Sequence, residues 1–372
     1  MKVESPESPA RLAELLRECQ SAKQSIEITG FRSKSRMGGP LPEADLRIET
    51  KSLNRVLAYD PSDLTISVEA GISYRELTDT LAAKGQFLPI DAPYAEESSI
   101  GGIIASHSSG HRRRLFGTVR DLVIGMQFAT LEGKLVQSGG MVVKNVAGLD
   151  FAKLMTGSFG TLACISIVNF KLMPKPAGSR TFLYQDVSAS NVFVKRNNLL
   201  KSVLQPAAID VLNPAAAARV GLDSKWTLLV EALGSESVLA RYSKELPAYQ
   251  AIENSIWQKI REFTPAYLAE FADAHVVRIS CQLMEMESWM TKVPAGCASI
   301  GRGGNGVIHN HMPSSQDVPA GSKGVIAYAP ATRPSAERLW PKPGNDFFLM
   351  EKIKRMMDPD SLLNRGRLYG RI

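Results

Sequence analysis

The chain has only four cysteines in 372 residues, Cys19, Cys164, Cys281 and Cys297, and no two of them form a C-x-x-C pair. Neighbouring ligands for a zinc site or an iron–sulfur cluster are therefore missing, and no metal site is expected. If electrons pass to iron–sulfur clusters, another chain must hold them. The cysteines read as small buried hydrophobes of a reducing compartment. No apolar run approaches the ~20 residues that a bilayer-spanning helix needs. The first ten residues, MKVESPESPA, hold charges and two prolines but no apolar stretch, so a secretory leader is not expected and the cytoplasm is the expected compartment. The basic excess, 44 Lys and Arg against 37 Asp and Glu, is spread along the chain except for Arg112, Arg113 and Arg114. Nucleic-acid binders concentrate such an excess on one stripe, so no nucleic-acid partner is expected. A spread basic surface suits anionic small molecules, an acidic partner or the membrane surface.

What is present reads as alternating strands and helices, without internal repeats or low-complexity segments. Ser8 before Pro9 starts a helix whose apolar face is Leu12, Leu15 and Leu16. Strands are expected at Ile26 to Thr29 and Leu64 to Val68. Ser73 and Glu76 form a capping pair for a helix that ends near Gly85. Residues 89–118 read as a long loop rich in glycine, serine and histidine, and such a loop in a compact domain is usually functional. A hairpin over Val123 to Gln137, a short helix at Phe151 to Met155 and a strand from Thr161 to Met173 follow. Pro174 and Pro176 mark a boundary. Beyond it, residues 177–330 read as a smaller α+β domain with strands at Trp226 to Leu233, Val276 to Ile279 and Gly306 to His311. A proline-rich stretch then leads to an amphipathic helix at Phe347 to Met357 and an irregular tail.

Two clusters carry chemistry. In SSIGGIIASHSSG, residues 98–110, Gly101 and Gly102 open an apolar turn between hydroxyl side chains. A pyrophosphate needs such a site, with N–H groups unobstructed by Cβ and hydroxyl donors at the rim. Ile100, Ile103 and Ile104 argue against a flexible linker. The second cluster, Gly157-Ser158-Phe159-Gly160-Thr161, enters a strand, and its glycines would let a flat ring lie against backbone.

Together with RRRLFGTVRDLVIG and GGMVVKNVAGLDFAKLMTGSFGTLACI, these clusters resemble the FAD domain of the vanillyl-alcohol-oxidase and cresol-methylhydroxylase family. More narrowly, VVKNVAGLDFAKLMTGSFGTL resembles the FAD-binding subunits of three-component bacterial glycolate oxidases. The resemblance covers about residues 20–175 well, 358–369 moderately and 177–330 much less. It implies an α+β fold: an FAD-binding domain of two subdomains over 1–176, a smaller α+β cap over 177–330, and a segment, 331–372, that returns to the FAD domain. It implies that Gly30, Arg32, Ser33 and Lys34 receive the FAD pyrophosphate together with Ser99, Ile100, Gly101 and Gly102. Ser106 and Gly110 would lie beside the ribityl chain or ring, Gly157, Gly160 and Thr161 along the isoalloxazine, and Ile165 near the adenosine half. Asn364 and Arg367 would bring the tail to the flavin. The first turn reads GFRSK where the family supplies consecutive glycines, and Arg32 there could neutralise phosphate by charge. That turn has no histidine, the usual covalent anchor there, so FAD is expected to be non-covalent.

The resemblance further implies oxidation of glycolate to glyoxylate, with a second FAD-linked oxidase subunit and an iron–sulfur subunit as partners and only peripheral contact with the membrane. The alternatives are a self-sufficient 2-hydroxy-acid dehydrogenase of the D-lactate type and a non-catalytic flavin relay or assembly subunit. Oxidising a 2-hydroxy acid needs a cation for the carboxylate and a base for the hydroxyl proton. His309 and His311 fall on one side of a strand and are the candidate catalytic pair. The run Arg112, Arg113, Arg114 is compatible with a substrate carboxylate, a flavin phosphate, a partner subunit or a solvated face.

Overall fold

The computed structural model describes residues 1–39, 42–142, 149–313, 324–330 and 339–372. They divide into two compact units. The first holds Met1–Ser109, Gly117–Lys175 and the described C-terminal residues; the second holds Gly110–Phe116 and the stretch that begins at Pro176. The short segment Gly110–Phe116 thus leaves the N-terminal part of the chain, where its sequence position put it, and packs with the second unit.

In the first unit, Ser8 caps the helix Pro9–Ser21 by accepting from Arg11 N (3.2 Å), with Pro9 at the first helical position. Its leucines and Cys19 pack with Ile26, Leu46 and Ile48. These residues belong to a parallel sheet in the order Lys2–Glu4, Leu46–Glu49, Ile26–Thr29. A second, antiparallel sheet runs Val56–Asp60, Thr65–Glu69, Cys164–Lys171, Val123–Ala129, Leu135–Gly139. The helices Tyr74–Ala82, capped by Ser73, and Ile100–Ala105 cover it through Leu77, Leu81, Ile100, Ile103 and Ile104.

Two expectations change here. The long loop over 89–118 contains the helix Ile100–Ala105, in which Ile100, Ile103 and Ile104 share the buried face and Ser99 is the cap. The strand from Thr161 begins only at Cys164, because Thr161 Oγ1 turns back to Ser158 O (2.7 Å).

The second unit is one eight-stranded antiparallel sheet with the order Gln250–Ile252, Gly178–Asp186, Trp226–Gly234, Ala208–Leu212, Ala298–Arg302, Val307–Met312, His275–Ser280, Val325–Tyr328. On one face Phe182, Val211, Leu228, Val230, Ile279 and Ile308 pack with residues of the helices Ala189–Lys201, Glu236–Glu245 and Met286–Thr291. Period-2 alternation sends their neighbours Asp210, Glu231, Arg302 and His309 to the other face. No helix of the described residues is long and apolar enough to cross a membrane.

Candidate functional site

Four separate segments of the first unit meet at the edge of the parallel sheet. The turn after Ile26–Thr29 reaches the second segment so closely that a Cβ on Gly30 would lie 2.1 Å from Ser99 Oγ. Ser33 Oγ is 3.1 Å from Ser98 Oγ, and Lys34 Nζ donates to the same hydroxyl (2.5 Å). Arg32 adopts a left-handed backbone (φ 62°), and its half-exposed guanidinium lies 3.6 Å from Glu27. The end of the helix Ile100–Ala105 receives the third segment, with Gly157 N donating to Ile104 O (3.0 Å) and Phe159 N to Ala105 O (2.9 Å). The C-terminal tail is the fourth. Its Leu363 pairs in parallel with Ile26, and Asn364 bonds Ile28 N through Oδ1 (2.7 Å) and Phe159 O through Nδ2 (2.7 Å). The Arg367 guanidinium lies over the Phe159 ring, 5.6 Å from its centroid.

Gly30, Arg32, Ser33, Lys34, Ser99, Gly102, Ser106, Gly157, Gly160, Thr161 and Asn364 all belong to these four segments. Ile165 instead pairs with Phe128 and packs in the core. Gly110 begins the segment that belongs to the second unit. The family motif VKNVAG, residues 143–148, lies outside the described residues.

One reading of the glycines needs correction. The amides of Ile100 and Gly101 donate to Ile72 O (3.0 Å) and Ala70 O (2.7 Å), and Gly102 N donates to Ser99 Oγ (3.1 Å). These donors are committed within the protein, so the stretch is a capped helix start and not a bare amide cradle. A Cβ on Gly101 would face Ala70 O at 3.0 Å, whereas a Cβ on Gly102 would meet only Ser99 Oγ, at 3.1 Å. The open side is therefore at Gly102.

The second unit builds a basic surface on the sheet face away from its core. Arg112 donates to both oxygens of Glu231 (2.9 and 2.7 Å), a residue buried in the middle of the sheet. His111 stacks on Trp257 with centroids 4.7 Å apart. Arg114 donates to Pro206 O (3.1 Å) and covers Gly304, where a Cβ would fall 2.2 Å from Arg114 Cδ. Arg112 and Arg114 are thus internal fastenings, which excludes the solvated-face reading for them. With the Asn305 amide turned so that its oxygen faces the guanidinium, Arg113 Nε donates to Oδ1 (3.2 Å) and Asn305 Nδ2 donates to Arg302 O (3.2 Å).

The two candidate histidines differ. His311 is buried edge-on against Phe263 (4.7 Å), with Nε2 2.8 Å from the Thr264 hydroxyl. Burial pushes its pKa down to about 3. It is a packed sheet residue, and its assignment to a catalytic pair is corrected on that ground. His309 lies partly exposed between Arg278 and Ile300 in register. Burial first, and then Arg302, His311, Arg278 and Arg113, hold its pKa well below the ordinary value. Its imidazole is therefore neutral at pH 7. Arg302 is paired with the buried Asp210 of the next strand. Among the described residues no three His, Cys, Asp or Glu side chains come together as a metal-ligand set.

The FAD binding domain family matches residues 2–139. Glycolate oxidase subunit GlcE of Escherichia coli is 31% identical over 252 residues, 68% of this chain and 67% of that protein. The chain therefore belongs to the FAD-linked family of the glycolate oxidase subunits. Glycolate oxidase subunit GlcD of Bacillus subtilis is 29% identical over 66% of this chain, which spans 54% of that protein. A D-lactate dehydrogenase of Archaeoglobus fulgidus is 23% identical over 90% of this chain and 84% of its own length. The fold is that of alkyldihydroxyacetonephosphate synthase, with a TM-score of 0.71 at 17% identity over 97% of this chain and 76% of the other.

As a member of this family the chain binds FAD, and the first unit offers groups that suit it. The buried hydroxyls of Thr29 and Ser158 have no hydrogen-bond partner within the protein, and each lies in one of the converging segments. A buried hydroxyl without a partner is costly, and a polar cofactor would supply one. Neither was singled out from the sequence, although Ser158 sits within the second glycine cluster. Acid precipitation is expected to release all the flavin into the supernatant, as no covalent link is expected. Flavin remaining in the pellet would contradict this.

Proposed function

We propose that this chain is the FAD-binding subunit of a glycolate oxidase complex that oxidises glycolate to glyoxylate, together with a second FAD-linked subunit and an iron–sulfur subunit. One observation carries the substrate class: on the polar face of the second unit's sheet Arg278 lies opposite His309 in register, and Arg113 and Arg302 are near enough to hold its imidazole neutral. Cations so placed suit a carboxylate, and a neutral imidazole suits a hydroxyl proton. Arg113 and Arg278 would anchor the carboxylate, and His309 would take the hydroxyl proton while the carbon gives up hydride. Bound FAD supplies the two-electron acceptor. In the first unit Thr29, Lys34, Ser158 and the groups around Gly102 would hold the cofactor. The match with a D-lactate dehydrogenase over 90% of this chain favours, as a second reading, a subunit that turns over a 2-hydroxy acid without partners.

Anaerobic mixing of the isolated FAD-loaded chain with glycolate or D-lactate tests both readings. Bleaching of the visible flavin band is expected with a 2-hydroxy acid, and its absence with either acid would leave only a relay role. Arg113→Gln should raise the half-saturating acid concentration about ten- to a hundredfold, the worth of a charge-assisted hydrogen bond. The pH dependence carries a sign. The base must be unprotonated, so an ordinary histidine would lose rate as pH falls through about 6.5. With His309 held well below that value, the bleaching rate should stay level through pH 6.5 and fall only in more acid solution. A drop centred near 6.5 would remove His309 from the role.

A further inference from the structure

The C-terminal helix Phe347–Met357 carries a lysine on its buried side. Lys354 is 3% exposed, and Asp358, one turn on, is fully buried. The ammonium has three N–H groups and three acceptors: Asp358 Oδ2, Thr161 O (2.8 Å) and Leu363 O (3.1 Å). The Asp358 carboxylate in turn accepts from Leu362 N (2.9 Å) and Leu363 N (2.8 Å). Thr161 closes the second glycine turn, and Leu363 precedes Asn364, which holds the same turn through Phe159 O and the strand Ile26–Thr29 through Ile28 N. The ion pair thus sits where the helix, the tail, the strand Ile26–Thr29 and the glycine turn join. A charge pair this deep is costly to desolvate, and a hydrophobic pair could pack the helix equally well. What the pair adds is geometric: it fixes two carbonyls on two different segments.

We propose that Lys354, held by Asp358, is a positioning residue of the FAD site, acting through Thr161 and Asn364 on the turn Gly157–Thr161. The C-terminal tail is thereby a structural part of the cofactor site and not merely a lid on the core. The inference rests on the reading of that turn as the flavin side of the site.

The test uses the full chain, stripped of flavin and titrated with FAD, in four variants: Lys354→Met, Asp358→Asn, Asn364→Ala and the double variant Lys354→Met/Asn364→Ala. Lys354→Met and Asn364→Ala should each weaken FAD about ten- to a hundredfold, with parent-like far-UV circular dichroism. Both should change the shape of the bound-flavin visible spectrum in the same way. The double variant should bind no more weakly than the weaker single, because both act on one turn. Parent-like affinity and spectrum in folded Lys354→Met, or losses that simply add, would overturn the proposal. Asn364→Ala with parent-like binding would instead overturn the reading of the turn. If Lys354→Met does not fold, Asp358→Asn decides: about tenfold weaker FAD supports positioning, and unchanged FAD overturns it.

Discussion

Gly102→Val is expected to leave a folded protein that no longer retains FAD, whereas Gly101→Val, one residue earlier, is expected to damage the fold itself. Both glycines lie in the first turn of the helix Ile100–Ala105, but their Cβ directions differ. At Gly101 the new side chain would press on Ala70, 3.0 Å from its carbonyl oxygen and 3.1 Å from its Cβ. Strand-end backbone cannot move away cheaply, and overpacking of this kind costs about 1–3 kcal/mol or more. At Gly102 only the Ser99 hydroxyl lies within reach, at 3.1 Å, so the fold should tolerate the change. If that open side belongs to the cofactor, the valine occupies its place, and affinity should fall on the order of a hundredfold. Thermal melts of the flavin-free proteins and FAD titration of each measure the two effects separately. Parent-like FAD affinity in Gly102→Val would assign the open side to something other than FAD.

Arg112→Ala should lower the stability of the second unit far more than Arg113→Ala, although the two are adjacent and chemically identical. Arg112 is the bidentate partner of Glu231, whose side chain is 2% exposed. Removing it leaves a carboxylate buried among sheet residues with His111 3.9 Å away. Breaking a buried pair by deleting one member costs about 3–5 kcal/mol, and the partial exposure of Arg112 places the expected loss near the lower end. Arg113 gives up a hydrogen bond to Asn305, worth about 1 kcal/mol, and its loss should appear in acid binding. Denaturant midpoints, with proteolysis across residues 110–116 as a second readout, make the comparison. Equal destabilisation by the two variants would refute this division of labour within the run.

Short-range structure was legible because its causes are short-range. Ser8 and Ser73 cap the helices that their spacing announced. The helices at Phe151–Met155 and Phe347–Met357 begin and end where their patterns do. The glycine and hydroxyl clusters, with the family resemblance they carry, led to FAD, and the matches with FAD-linked relatives agree. The helix Ile100–Ala105 was missed because two glycines obscured an i, i+3, i+4 isoleucine face and a serine cap. Most of the sheet of the second unit was also missed. Its strands are buried on the core face and lined with ion pairs on the other, which blurs the polar alternation.

What the sequence determined by itself was local geometry and cofactor class, since caps, periodicities and glycine turns act over a few residues. Tertiary structure alone decided which of three consecutive arginines fastens the segment and which stays beside His309, because Glu231 lies 119 residues from Arg112. It also decided that Gly101 is committed to Ala70 while Gly102 is open. In the same way it set the third acceptor of Lys354, at Thr161, 193 residues away. The energy of a buried ion pair or a close backbone contact depends on groups that only the folded chain brings together, and no pattern of neighbouring residues encodes them.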